Sequence, residues 1–308
     1  MSLKKLPKIL AIVGPTATGK SDWAVFLAKK FNGEVISADS RQVYKGMDLG
    51  SGKISKKEMQ GVKHYLLDVA SPKSAAYNVT KFKVLAEKAI AQILKNKKLP
   101  IICGGTGFWV DALCNNQAFS EVPPNKALRL KLSKEPAEKL FSMLSKLDPK
   151  RAQNIDSKNK RRLIRALEII KASKGPAYSN LKNPAKYKTL YIGLDMPIEK
   201  LMQKISKRLD LRLKKGMLKE IQRLHKQGVS WKTLENFGLE YRFGAEYLQG
   251  KISKEQMKEL LLIAVRKYAK RQRTWFKRNK EIHWLDPNKK SSLTKATSKT
   301  KIFLKAAA

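Results

Sequence analysis

The stretch Lys8-Ile-Leu-Ala-Ile-Val-Gly-Pro-Thr-Ala-Thr-Gly-Lys-Ser21 decides the fold of this chain. Ile9 to Val13 is a short apolar run of the kind that forms a buried strand, and it ends in glycine. Gly14, Gly19, Lys20 and Ser21 then match G-x-x-x-x-G-K-[ST] at every position, with a helix predicted to open at Lys20. In such a loop, here Gly14, Pro15, Thr16, Ala17, Thr18, Gly19, Lys20 and Ser21, backbone N–H groups turn inward and the helix adds its positive end. Lys20 brings a mobile charge for phosphate oxygens, and the Ser21 hydroxyl suits a magnesium ion (Mg2+). A diphosphate or triphosphate is the expected occupant; a bare glycine turn is the bland alternative.

The next residues place this loop in a sheet. Asp22 to Phe31 has helical spacing, with Trp23, Phe26, Leu27 and Phe31 inward, and Asn32-Gly33 ends it. Glu34 to Asp39 reads as a second strand, so the opening is a βαβ unit with a parallel sheet. Ligands of such sheets gather beyond the carboxyl ends of the strands, which puts Asp39, Ser40, Arg41 and Gln42 beside the phosphate loop. Asp39 has three readings there: a local cap, a ribose ligand, or a base for a substrate proton.

Further along, Tyr44 to Lys53 is a glycine-rich loop, and His64 to Val69 is expected as a third strand. Phe82 to Asn96 is an amphipathic helix with Val84, Leu85, Ala89, Ile90 and Ile93 inward. Pro100-Ile-Ile-Cys-Gly-Gly-Thr-Gly107 is a buried strand with a second glycine-rich exit. Thr106 sits where a hydroxyl reaches phosphate or substrate, or simply makes a turn; Cys103 is a small core residue rather than a nucleophile. From about residue 120 to 186 the pattern is helical and basic, an expected insertion into an α/β core of residues 1–119 and 187–308. Arg161, Arg162 and Arg165 flank the apolar face of Leu163, Ala166, Leu167 and Ile170, and Lys174-Gly-Pro176 is expected to stop that helix. Tyr187 to Asp195 returns to strand, and Ile198 to Gln227 is expected as one long helix with Arg208 and Arg212 on adjoining turns. Tyr268-Ala-Lys-Arg-Gln-Arg-Thr-Trp-Phe276 interleaves basic and aromatic residues, as nucleic-acid contacts and also membrane-surface helices do. The tail from Lys289 is expected to fray.

Composition narrows the partner. The 308 residues carry 66 Lys+Arg against 25 Asp+Glu, a net charge of +41. A field of that sign favours a polyanion, nucleic acid ahead of an anionic membrane, although a lysine-rich host proteome also produces it. No apolar run is long enough for a membrane span, the N-terminus lacks an apolar signal core, and two cysteines make neither a disulfide framework nor a metal site. A cytoplasmic location and a monomer are expected.

The chain resembles bacterial tRNA dimethylallyltransferases (tRNA isopentenyltransferases) over nearly its whole length. The resemblance rests on Gly14 to Ser21, Asp39 to Asp48, Gly104-Gly-Thr106, Arg161 to Glu168, Arg208, Tyr268 to Phe276 and His283 to Asp286. Gly50-Ser-Gly-Lys53 departs from the family's usual Gly-Thr-Ala-Lys, and Val265 replaces a common threonine. The resemblance implies a phosphate-loop-type parallel sheet with a helical insertion, and transfer of a dimethylallyl group from dimethylallyl diphosphate to the exocyclic amine of the adenosine 3′ of the anticodon. It implies Asp39 as base, with Thr16 and Arg208 among the catalytic residues and Thr106 adding to the diphosphate clamp. Asp39 to Gln42, Thr106, Arg129 and Arg161-Arg162-Leu163-Ile164-Arg165 are implied on the tRNA, with the insertion gripping the anticodon stem-loop. A nucleotide or small-molecule kinase and a free-nucleotide isopentenyltransferase are the rival enzyme readings, and a non-catalytic RNA-binding module the rival outside enzymes.

Overall fold

The structure, a computed structural model, describes residues 6–74, 77–173 and 183–306. Six strands form one sheet: β1 (Lys8–Val13), β2 (Gly33–Ser37), β3 (His64–Tyr65), β4 (Leu99–Cys103), β5 (Lys188–Leu194) and β6 (His283–Leu285). Their order is β3-β2-β4-β1-β5-β6 and every pairing is parallel. β1 lies between β4 and β5, with Leu10 opposite Ile101 on one side and Leu190 on the other.

Alternation along β1 divides the core in two, because successive side chains point to opposite faces. Ile9, Ala11 and Val13 join Phe82, Ile90 and Ile93 of the Val79–Lys95 helix on one face. Leu10 and Ile12 join Trp23, Ala24 and Leu27 of the Lys20–Lys30 helix on the other. A strand buried on both faces must be apolar throughout, which is why this run carries no polar alternation.

Two compact units are present, residues Met1–Asn116 with Ala185–Ala308, and residues Gln117–Pro184. The second is helical, built from Lys126–Ser133, Ala137–Leu147, Pro149–Ala152 and Lys160–Ser173. Leu140, Leu144, Leu163 and Leu167 are fully buried in its own small core, each contributing about 2 kcal/mol of apolar burial.

Several expectations are corrected. The third strand stops at Tyr65, because Leu66 and Asp68 adopt left-handed backbone (φ 64° and 57°) that breaks the ladder. Phe26 and Val84 point outward, 38% and 50% exposed; Phe82 and Ala86 take the inward positions of the latter helix. The long helix is two, Ile198–Lys214 and Met217–Lys226, divided at Gly216 (φ 95°). The tail forms a helix, Lys290–Lys305, whose Ser292, Ala296 and Thr300 are buried, with Ala296 in the sheet core. Small residues let it approach closely, and the Thr300 hydroxyl is satisfied by the Ala296 carbonyl at 2.8 Å. The stop expected at Lys174 to Pro176 lies outside the described residues. Among the described residues no helix is long and apolar enough to cross a membrane.

Candidate active site

The phosphate loop leaves β1 at Gly14, whose φ of 133° and close approach to the Leu194 carbonyl admit no side chain. The chain then curls through Ala17 (φ 63°) to Gly19 (φ 83°), which sits at the N-cap of the Lys20–Lys30 helix without a side-chain cap. The first N–H groups of that helix are therefore open to an anion. Inside the loop the Pro15 carbonyl accepts from the Thr18 hydroxyl at 2.9 Å and from Lys20 Nζ at 2.6 Å. Burial, with Arg208 nearby, pulls the Lys20 ammonium down to about 8, against the opposing pull of Cys103 and Asp39.

A cavity of about 410 Å³ opens in front of this loop. Its far wall carries Arg208 and Arg212 from the Ile198–Lys214 helix, and Lys215 follows them. Burial and then Arg212 lower the Arg208 guanidinium to about 10, a sign of cations crowded together out of water. Arg212 is held by Glu240 at 3.0 Å. Gly52 passes so close to the Arg212 guanidinium that a Cβ there would displace it. This departure from the family pattern therefore gives the arginine its room.

Asp39 follows β2 and lines the same cavity. Its Oδ1 accepts from the Arg41 backbone N–H at 2.9 Å, so the local-turn reading of Asp39 holds as well, and the turn fixes where the carboxylate points. Thr106 Oγ1 accepts from the Ser40 N–H at 3.1 Å, which joins the exits of β2 and β4. Arg41 and Gln42 are partly committed to the protein. Arg41 Nε donates to the Phe237 carbonyl at 2.7 Å, and its guanidinium lies 5.6 Å from the Phe237 ring. Gln42 accepts from Ser37 Oγ at 3.0 Å and donates to the Gly52 carbonyl at 3.3 Å.

The other sequence candidates lie in the second unit, where they divide into two kinds. Arg129 grips Glu168 with two hydrogen bonds of 2.8 and 2.7 Å. Arg165 bonds the same carboxylate and donates to the Val122 carbonyl at 2.8 Å, while the Asn125 N–H supplies a further bond of 2.6 Å. Burial alone would raise Glu168, but these donors outweigh it and bring the carboxyl down to about 2. Arg129 and Arg165 thus hold the unit together. Leu163 is fully buried, so its assignment to the tRNA surface is corrected: it anchors the helix. Ile164 is half-buried, and Arg161 and Arg162 are exposed.

Some residues of the site were not singled out by the sequence. Gln272 accepts from the Thr16 N–H at 2.9 Å and donates to the Gly105 carbonyl at 2.8 Å. Glu220 collects the N–H groups of Asp48, Leu49 and Gly50 and the Tyr241 hydroxyl, fixing the glycine-rich loop. Lys53 ties that loop to Asp48 and Asp68 at 2.7 and 2.6 Å. Glu220 interrupts the apolar stripe of its helix, and that polar intrusion was the available signal. The Tyr268 to Phe276 stretch also reads differently in place. Trp275 Nε1 donates to Asp111 at 2.8 Å and Arg278 lies 3.8 Å from the Trp275 ring. Arg273 bonds Asp195 and the Met196 carbonyl. These groups support the core, and the expected role in stacking on nucleic acid is corrected for Trp275 and Arg273.

Among the described residues no group of three or more His, Cys, Asp or Glu side chains could hold a metal. Ser21, whose hydroxyl is of the type that suits a divalent cation, lines the cavity wall beside Lys20.

The model of the IPP transferase family matches residues 42–279. A tRNA dimethylallyltransferase of Acetivibrio thermocellus is 40% identical over 97% of this chain and 98% of that protein. One from Clostridioides difficile is 37% identical over 98% and 99%. Among solved structures, the tRNA isopentenylpyrophosphate transferase of Bacillus halodurans superposes with a TM-score of 0.73 at 34% identity, covering 96% of each chain. A eukaryotic dimethylallyltransferase acting on tRNA gives a TM-score of 0.80 at 30% identity, over 96% of this chain and 78% of that one. Matched by the family model over most of its length and 40% identical to a tRNA dimethylallyltransferase across 97% of its residues, this chain belongs to the IPP transferase family, that of the tRNA dimethylallyltransferases.

Proposed function

We propose that this protein transfers the dimethylallyl group of dimethylallyl diphosphate to the exocyclic amine of the adenosine immediately 3′ of a tRNA anticodon. The observation that carries this reading is one cavity of about 410 Å³ faced by the phosphate loop with Arg208 on one hand and by Asp39 on the other. The diphosphate lies in the loop as the leaving group. As the carbon–oxygen bond breaks, negative charge grows on the diphosphate, and the loop N–H groups, Lys20 and Arg208 stabilise it where it develops. Thr16 lines the same cavity, and in this reading it assists the clamp together with Thr106, whose hydroxyl accepts from the Ser40 N–H. The adenine nitrogen bonds the allylic carbon and gives its proton to Asp39. The Ser21 hydroxyl would hold a magnesium ion, which would supply further neutralisation of the diphosphate.

An adenine in a loop is reached only when unstacked, and an anticodon loop presents its bases with least resistance. The exposed Arg161 and Arg162 of the second unit supply phosphate contacts for the stem. The protein acts as a cytoplasmic monomer in this reading. Incubation with dimethylallyl diphosphate, Mg2+ and bulk tRNA, followed by mass analysis of the nucleosides, tests it: dimethylallyl adenosine is the expected product. Phosphate transfer from ATP to a small acceptor, with no prenyl transfer, would overturn it in favour of a kinase.

A further inference from the structure

We propose that Gln272 is the positioning residue of the phosphate loop, a strap that sets where the diphosphate sits relative to Asp39. The inference rests on the reading that this loop holds the diphosphate. Gln272 lies on the Lys254–Phe276 helix, far along the chain from the loop, and is 5% exposed. Both ends of its amide are used: Oε1 accepts from the Thr16 N–H at 2.9 Å and Nε2 donates to the Gly105 carbonyl at 2.8 Å. One side chain therefore joins the loop after β1 to the exit of β4, next to Thr106.

The surroundings are shaped to the amide. A Cβ at Gly105 would run into Gln272 Nε2, so glycine there makes the approach feasible. One turn earlier on the same helix, Tyr268 is raised by burial first and then by the charge of Asp39, with Arg41 opposing. The helix that carries the strap thus also carries, one turn away, a buried tyrosine within the field of Asp39. An amide of this length offers an acceptor to Thr16 and a donor to Gly105 together at any physiological pH. A leucine leaves both backbone groups without partners in a buried place, and the loop is free to shift. A glutamate keeps the size, but when ionised it repels the Gly105 carbonyl and adds negative charge beside the diphosphate. Protonated, it donates to Gly105 and accepts from Thr16, and the strap is restored.

The test compares the intact protein with Gln272→Leu and Gln272→Glu. Calorimetry with inorganic diphosphate and Mg2+ is paired with transfer kinetics. Gln272→Leu is expected to bind inorganic diphosphate about tenfold more weakly and to raise KM for dimethylallyl diphosphate to match, with KM for tRNA within about twofold. Gln272→Glu is expected to be the poorer enzyme near pH 8 and to recover, relative to the unsubstituted protein, as the pH falls toward about 6. Equal rises in both KM values overturn the strap, because they mark a general loss of structure. So does a Gln272→Glu defect that does not change with pH, and that profile decides alone if Gln272→Leu does not fold. Diphosphate binding that neither variant alters overturns the inference and leaves the function standing. Failure of the unsubstituted protein to bind diphosphate overturns the reading of the loop, and the strap with it.

Discussion

The phosphate-loop cavity and the Glu168 clasp both gather cations, and they do opposite things with them. Around Glu168 the positive charge is answered within the protein: Arg129, Arg165 and the Asn125 N–H converge on one buried carboxylate. In the cavity, Lys20 donates to a carbonyl, and Arg208, taken out of water and then crowded by Arg212, has its guanidinium lowered to about 10. A cluster that is neutralised in place stabilises a unit; one that keeps its charge out of water is arranged for an anion that arrives later. The net charge of +41 is thus a sum over unlike contributions, and its size alone does not reveal which cations meet a ligand.

The largest expected effect that probes this contrast belongs to the cavity. Asp39→Ala is expected to lower transfer by on the order of 10³-fold or more, with tRNA affinity kept within a few fold. Loss of binding equal to loss of transfer, measured by filter retention of tRNA, would give Asp39 a different role. Lys20→Ala is expected to cost on the order of 10²–10³ in rate, because its charge acts where the diphosphate becomes more negative. The same ammonium titrates at about 8 in the free protein, so the site loses positive charge as pH rises through that value, and KM for dimethylallyl diphosphate should climb there. A flat KM profile across that range would argue that Lys20 is not a diphosphate ligand.

The clasp should respond in stability instead. Glu168→Gln removes the charge that both arginines answer, and is expected to destabilise residues 117–184 by about 2 kcal/mol, less than a wholly enclosed pair since both arginines are partly in water. Hydrogen exchange over that unit is the measurement. The folded carboxyl, at about 2, lies below its ordinary value, so its stabilisation is present above that ordinary value and is lost as pH falls toward about 2. Smallest of all, Arg161→Ala with Arg162→Ala is expected to weaken tRNA binding several-fold and reduce its salt dependence, leaving KM for dimethylallyl diphosphate unchanged. An unaltered salt slope would return both arginines to the solvated surface.

The sequence is legible where a local pattern and a buried role coincide. Gly14 to Ser21 with the apolar run before it carries its own structural context, and it opens the sheet as expected. Leu99 to Cys103 is legible for the same reason. The apolar stripe of Ile198 to Gln227 misleads because Leu213 and Met217 keep helical spacing across a break at Gly216. The Lys290–Lys305 helix is hidden because its inward face uses Ser292, Ala296 and Thr300, whose size suits close packing and whose hydropathy says little. Gln272 stands in a stretch that resembles a nucleic-acid contact in composition. Its partners, Thr16 and Gly105, are remote in sequence, and no local spacing connects them.

The place of β1 in the sheet has a consequence for synthesis. The strand is made well before its neighbours, Leu99–Cys103 and Lys188–Leu194, with the whole of residues 117–184 between those two. The loop that follows it is backed by the Leu194 carbonyl and strapped by Gln272. A growing chain therefore displays the phosphate motif early and cannot use it, since pairings this remote form only when their partners have emerged. A nascent chain halted before Lys188 carries the complete motif but lacks the Leu194 backing, the Gln272 strap and the Arg208 and Arg212 wall of the cavity. The phosphate signature is on the ribosome long before the site it belongs to is assembled.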